Sequence, residues 1–143
     1  MSYAALVSGI TLSRSGLGAV HGIAGPMGGL CPVPHGVACG KLLFPVMTFV
    51  IKKIIDEKNI AAQKRFADIG KLFTADAGGD DIYYCKQFLG VLDKWTRTLK
   101  LPQLSSFGMT AADMKKIISL ADSKNSPALL SAEEMKVILE VAR

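Results

Sequence analysis

The sequence predicts an all-α fold, a helical bundle formed by a single domain over residues 1–143. Apolar residues recur at helical spacing throughout the second half of the chain. No alternating apolar and polar run bounded by hairpin turns indicates a strand. Two helix-start motifs precede apolar stripes near the C-terminus. Half of the residues, 50%, are apolar, so 143 residues are enough for one domain with its own core.

The first half predicts helices separated by glycine and proline. Residues 3–13 indicate a helix that ends near Gly16, and residues 17–24 indicate a second helix, which Pro26 should disrupt. Residues 28–34 are expected to form a loop.

A third helix is predicted to begin after His35 and to run through Leu43. Pro45 then either kinks this helix or begins a new one that continues to Ile55. Because Lys41 is the only charged residue in this segment before Pro45, the helix should lie at the centre of the fold.

The second half predicts four more helices. Thr110 with Asp113, and Ser131 with Glu134, have the spacing of an N-cap and a first-turn acid. The four stripes expected to face the core are Ala62, Phe66, Ile69 and Phe73; Ile82, Cys85, Leu89, Leu92, Trp95 and Leu99; Met114, Ile117, Ile118 and Ala121; and Met135, Ile138, Leu139 and Ala142.

Composition argues against several classes of partner. The net charge is +5, but no basic stripe is interleaved with aromatic residues, so we expect no nucleic-acid binding. The longest stretch without Asp, Glu, Lys or Arg, 15–40, contains eight glycines and three prolines and cannot form a membrane-spanning helix. Three cysteines without CxxC spacing, and no signal peptide, predict reduced thiols in the cytoplasm.

The chain has two histidines, His21 and His35, and both lie in this uncharged segment. Histidine is the commonest metal ligand, yet two histidines fourteen residues apart are by spacing alone more typical of satisfied core residues. Their context favours a metal site. His21 is expected on a helix and His35 at the start of the next, and the surrounding glycines would let helix and loop approach one ion closely.

The run from Gly16 to Gly40 resembles the signature of iron-containing alcohol dehydrogenases. It contains Gly-Leu-Gly-x-x-His, a turn of small residues and Pro-His-Gly-Val-Ala, followed by a leucine-rich helix segment at 41–45. Segments 101–108, 124–127 and 130–134 also resemble parts of that family, so the resemblance covers nearly the whole chain. On these residues the chain is identified as similar to the family's C-terminal helical domain.

The resemblance implies that a divalent metal lies in a cleft, held by one aspartate and three histidines. His21 and His35 match the last two histidines. We find no match here for the other two ligands or for the glycines of the N-terminal nucleotide-binding domain, which is expected to be absent from this chain. The intact enzyme would contain Fe²⁺ or Zn²⁺ and transfer a hydride between an alcohol or aldehyde and NAD or NADP. Alone, this chain is expected to have no catalytic residue, little or no bound metal and no activity.

Other interpretations stay open at this stage. Gly25 stands where the family often has a further histidine near the nicotinamide, which puts a histidine proton relay in doubt. A non-enzymatic helical interaction module that retains the fold is the main alternative, and a glycerol dehydrogenase or dehydroquinate synthase relative is another. Segment 34–38 favours the alcohol dehydrogenase branch. A domain without its neighbour should expose apolar surface, so we expect a homo-oligomer or association with a separate nucleotide-binding half.

Overall fold

The computed structural model describes residues 2–143, and only Met1 lies outside it. These residues form seven α-helices and one short 3₁₀ turn at Leu104–Phe107, and none of them forms a strand. The predicted all-α class is therefore confirmed. The helices are α1 (Ser2–Ser15), α2 (Ala19–Leu30), α3 (His35–Asp56), α4 (Ile60–Lys71), α5 (Asp81–Thr98), α6 (Ala111–Leu120) and α7 (Ala132–Ala142).

Helix α3 is the centre of the molecule, as the single charge before Pro45 predicted. It packs against α2, α4, α5 and α7. Its buried residues are Ala38, Leu42, Pro45, Val46, Val50, Ile51 and Ile54. The helix continues through Pro45 as one element of 22 residues, so no new helix begins there.

Helix α2 corrects the prediction that Pro26 ends it. The helix continues to Leu30 and includes Gly28 and Gly29, so the predicted loop shrinks to residues 31–34. A proline inside a helix has no N–H for the carbonyl four residues earlier, which here belongs to Gly22. The backbone N–H of Asp122 donates to that carbonyl at 3.4 Å. A distant segment thus supplies the donor that Pro26 lacks.

Helices α4 and α5 pack closely on each other and form a second, smaller core with Ile51. The backbone of Tyr84 lies against Gly70, where a Cβ atom would overlap the Tyr84 carbonyl oxygen. Because α4 contacts α5 through the side that contains Gly70, the apolar stripe predicted for α4 from Ala62 to Phe73 is only partly right. Ile69 and Phe73 remain 38% and 42% exposed, whereas Ala67 and Gly70 are buried.

Helices α6 and α7 form as their cap motifs predicted. Thr110 and Ser131 each accept a hydrogen bond from the backbone N–H three residues later, and both capping boxes are complete. All four residues of the predicted α7 stripe are buried. The Lys53 ammonium donates to Glu134 at 2.9 Å and to the Leu129 carbonyl at 2.7 Å, which ties α7 to the central helix.

Helix α1 differs from the rest, because none of its residues is buried. Its large apolar side chains include Tyr3, Leu6 and Ile10, which are 80%, 62% and 56% exposed. The helix forms where predicted but contributes nothing to the core. Among residues 2–143, no helix combines the length and apolar character needed to cross a bilayer.

Candidate metal centre

The two histidines meet at the corner between α2 and α3. His21 is the third residue of α2, and His35 is the first residue of α3, directly after its N-cap Pro34. His35 Nε2 lies 3.2 Å from His21 Nδ1, and the ring centroids are 5.1 Å apart. His21 is half-buried and His35 is exposed. The convergence on which the sequence-based hypothesis depends is therefore present.

The connection between the two helices positions this corner. Only four residues link them, and Cys31 and Val33 are each just 6% exposed, so the link is anchored in the core. The Pro34 carbonyl accepts hydrogen bonds from the N–H groups of Val37 and Ala38 at 2.9 and 3.0 Å, which starts α3. A short, buried link leaves little freedom in the separation of the two imidazoles.

Cys39 is a third donor group that the sequence reasoning missed. It lies one turn after His35, and residues four apart share a helix face. Its Sγ is 3.4 Å from His35 Nε2 and 3.7 Å from His21 Nδ1. Partial burial raises the pKa of the Cys39 thiol, so without a metal the group is protonated at neutral pH. The signal was the His-x-x-x-Cys spacing, which a search for CxxC pairs does not find.

These three residues form the one cluster of at least three histidine, cysteine or carboxylate side chains found in the described part of the chain. Imidazole and thiol groups suit transition metals such as zinc, whereas Mg²⁺ and Ca²⁺ require oxygen ligands. The donor chemistry therefore fits the divalent metal that the family resemblance implies.

A cavity of about 450 Å³ adjoins the cluster. Its wall includes His21, Cys39, Leu43, Met47, Val50 and Pro127. The lining is predominantly apolar, and its polar groups come from His21, Cys39, Asn125 and Ser126. A small molecule with one polar end and a short carbon chain would match that arrangement.

The segment 122–127 both borders this cavity and holds the start of α2. Ser126 Oγ accepts a hydrogen bond of 2.7 Å from the Ala19 N–H, one of the free amides at the helix N-terminus. Asp122 N–H donates to Gly22 O, as described above. The backbone on either side of His21 is thus fixed by one loop.

Gly25 occupies the position where the family often has a second histidine. It is exposed on α2, and a Cβ atom there would meet nothing within 4 Å. It directly precedes Pro26, however, and a residue before proline is disfavoured in helical conformation when it carries a Cβ. Glycine therefore suits a helix that continues through Pro26.

The family profile described as "Fe-containing alcohol dehydrogenase family, C-terminal" matches residues 1–142. The chain belongs to this family. Among its relatives, the 1,3-propanediol dehydrogenases of Klebsiella pneumoniae and Citrobacter freundii are 29% and 28% identical over 123 residues, which is 85% of this chain and 30% of each relative. A crystal structure of 1,3-propanediol oxidoreductase has a TM-score of 0.81 at 26% identity, over 99% of this chain and 36% of that one. The chain spans about a third of the length of the proteins it matches.

Proposed function

We propose that this chain is the metal-binding helical part of an NAD(P)-dependent alcohol dehydrogenase, with His21 and His35 as two ligands of a divalent metal. The observation that carries the proposal is the 3.2 Å separation of two ring nitrogens that come from different helices. A tetrahedral ion with metal–nitrogen bonds of about 2.05 Å holds two nitrogens about 3.3 Å apart. The imidazoles need little movement to share one ion.

In this proposal the two histidines position the metal and take no part in hydride transfer. A metal held by these residues would supply Lewis-acid polarisation of the substrate oxygen. The cavity beside His21 would accept the carbon chain of the alcohol or aldehyde against Leu43 and Met47. The relatives are named for 1,3-propanediol, so short alcohols and diols are the first substrates to test.

The aspartate and the third histidine would come from a further helix of the helical domain, and NAD or NADP would bind a nucleotide-binding portion, since this chain covers only 30% of the length of its curated relatives. We propose that this portion acts with the chain as a neighbouring domain or a separate chain. The three free cysteines, Cys31, Cys39 and Cys85, are consistent with the reducing conditions of a cytoplasm.

A metal titration tests the ligand assignment. From the two imidazoles alone we expect Zn²⁺ or Fe²⁺ to bind the 143-residue chain weakly, at one ion per chain, by calorimetry under reducing conditions. His21→Ala and His35→Ala should each weaken that binding by about 100-fold or more, because loss of an outer partner alone costs roughly 10–100-fold. The chain has only these two histidines, so the double variant is a complete imidazole control. Unchanged affinity in that variant would refute the assignment.

Activity of the isolated chain is the second test. With metal, 1,3-propanediol and either NAD⁺ or NADP⁺, we expect no nicotinamide reduction above the blank rate, because hydride transfer requires a bound nicotinamide. The matched control is a chimera in which the nucleotide-binding portion of the Klebsiella pneumoniae relative precedes this chain. Turnover by the isolated chain that the His21→Ala change abolishes would contradict the division of roles proposed here.

The alternative function, a helical interaction module without chemistry, is favoured by one observation. Helix α1 presents Tyr3, Leu6, Val7 and Ile10 to solvent and packs into no core. Contiguous exposed apolar residues of this kind mark interaction surfaces. This alternative predicts that a partner binds equally well to the wild-type chain and to the variant without histidines. The dehydrogenase proposal predicts that metal loading depends on them.

A further inference from the structure

We propose that Cys39 is a third metal ligand, so that His21, His35 and Cys39 together bind zinc in this chain even without the ligands expected from the rest of the enzyme. The inference deepens the proposed function and rests on it, because the same two imidazoles hold the ion. It adds a sulfur donor to the two histidines matched by the family resemblance.

The spacing of the three donor atoms supports tetrahedral coordination. The nitrogen–nitrogen distance is 3.2 Å, and the two sulfur–nitrogen distances are 3.4 and 3.7 Å. A tetrahedral zinc with bonds of about 2.05 Å to nitrogen and 2.3 Å to sulfur separates these pairs by about 3.3 and 3.6 Å. With right angles between the same bonds, the separations would fall to about 2.9 and 3.1 Å. The observed triangle is therefore close to the tetrahedral one.

The position of Cys39 on α3 makes the arrangement local and rigid. His35 and Cys39 are one turn apart on a central helix, so the backbone already aligns two of the three donors. Within residues 2–143, the hydrogen-bond partners found for Cys39 Sγ are the two imidazole nitrogens. The other thiols are elsewhere: Cys31 is buried in the main core, and Cys85 donates to the Gln63 carbonyl at 3.5 Å.

A sulfur donor changes which metal the site prefers. The Cys39 thiol would release its proton to solvent as the metal–sulfur bond forms. Thiolates favour zinc and other thiophilic ions, whereas sites built from nitrogen and oxygen also accept iron. The cavity beside the cluster is lined by His21 and Cys39, so an ion bound by the three donors would face this cavity. The expectation of weak metal binding by the isolated chain follows from two imidazoles alone, and a third donor would overturn it.

Cobalt is the probe for the test, because a thiolate ligand gives a near-ultraviolet charge-transfer band and tetrahedral coordination gives intense visible bands. We expect the purified chain, reduced and titrated with Co²⁺, to show both at one ion per chain, and Zn²⁺ to displace the cobalt. Cys39→Ser should lose the charge-transfer band and bind Zn²⁺ at least about 10-fold more weakly. Cys85→Ser is the matched control, since serine can keep the hydrogen bond to Gln63 O, and it should retain the band.

The outcomes separate this inference from the function on which it rests. Metal binding that requires His21 and His35 but shows no thiolate band, or Zn²⁺ affinity that Cys39→Ser leaves unchanged, would refute the sulfur ligand and leave the histidine pair standing. A wild-type chain that binds neither ion would refute the three-donor site alone, because the proposed function takes further metal ligands from outside this chain. The band in the wild-type spectrum is a direct readout, so a folding defect in Cys39→Ser does not decide the question.

Discussion

Replacing Gly22 with alanine should destabilise the protein, although alanine is the better helix former. Gly22 lies inside α2, next to His21, and a Cβ atom there would overlap the carbonyl oxygen of Asp122. The obstacle is backbone and not the end of a flexible side chain, so the loop or the helix must move. Movement would also break the bond from Asp122 N–H to Gly22 O, the one that compensates for Pro26.

The expected magnitude combines three contributions. Overpacking a close contact costs about 1–3 kcal/mol. Loss of the hydrogen bond adds about 1 kcal/mol. The higher helix propensity of alanine returns about 1 kcal/mol. We therefore expect Gly22→Ala to lower the free energy of unfolding by about 2 kcal/mol.

Gly28 on the same helix is the matched control. It is exposed, and a Cβ atom there meets nothing within 4 Å. Gly28→Ala should stabilise the protein by roughly 0.5–1 kcal/mol, because the change adds helix propensity without a clash. Urea unfolding followed by circular dichroism measures both variants, and Gly22→Ala should also lower Tm by roughly 8 °C. If the two substitutions shift the free energy of unfolding in the same direction, the backbone of Asp122 does not lie against Gly22, and this explanation is wrong.

Two further predictions concern α7 and α1. Burial opposes ionisation of Glu134, but the hydrogen bonds from Ser131 and Lys53 outweigh it and lower its pKa below the ordinary 4.5. Ionised Glu134 therefore stabilises the fold above pH 4.5, and this stabilisation is lost as the pH falls through the lower pKa of the folded state. In thermal melts, Glu134→Gln should reduce the loss of Tm at acidic pH. The exposed apolar face of α1 should drive self-association of the chain. Light scattering should show that the double variant Leu6→Lys, Ile10→Lys associates less. A wild-type chain that remains a monomer at high concentration would contradict this prediction.

The fold was predictable from sequence where local chemistry decides it. Ser131 and Glu134 satisfy each other's backbone groups within one helical turn, so the start of α7 depends on nothing distant. The face of α4 was predicted less well, because it depends on contact with another helix. Gly70 is buried because the Tyr84 backbone lies against it. The contact depends on glycine having no side chain, so a periodic pattern of apolar residues does not reveal it.

The sequence predicted that His21 and His35 would lie together, but it did not predict the third residue of the candidate site. His21 and His35 were found through the family resemblance and through their place in an uncharged segment. Cys39 lies on the same helix face as His35, but one thiol at helical spacing carries no signal until a second element brings His21 to it. Which of the three cysteines lies beside the imidazoles depends on tertiary structure, which buries Cys31 and Cys85 elsewhere.

The continuity of α2 connects the fold to the proposed chemistry. Pro26 leaves the carbonyl of Gly22 without its helical donor, and this gap lies directly after His21. The N–H of Asp122, a hundred positions further along the chain, donates to this carbonyl, and Ser126 Oγ accepts a hydrogen bond from the first amide of the same helix. The loop that completes the helix is thus the loop that borders the cavity. An ion held between α2 and α3 would bind only the docked arrangement, so its binding energy would add to the stability of the whole corner.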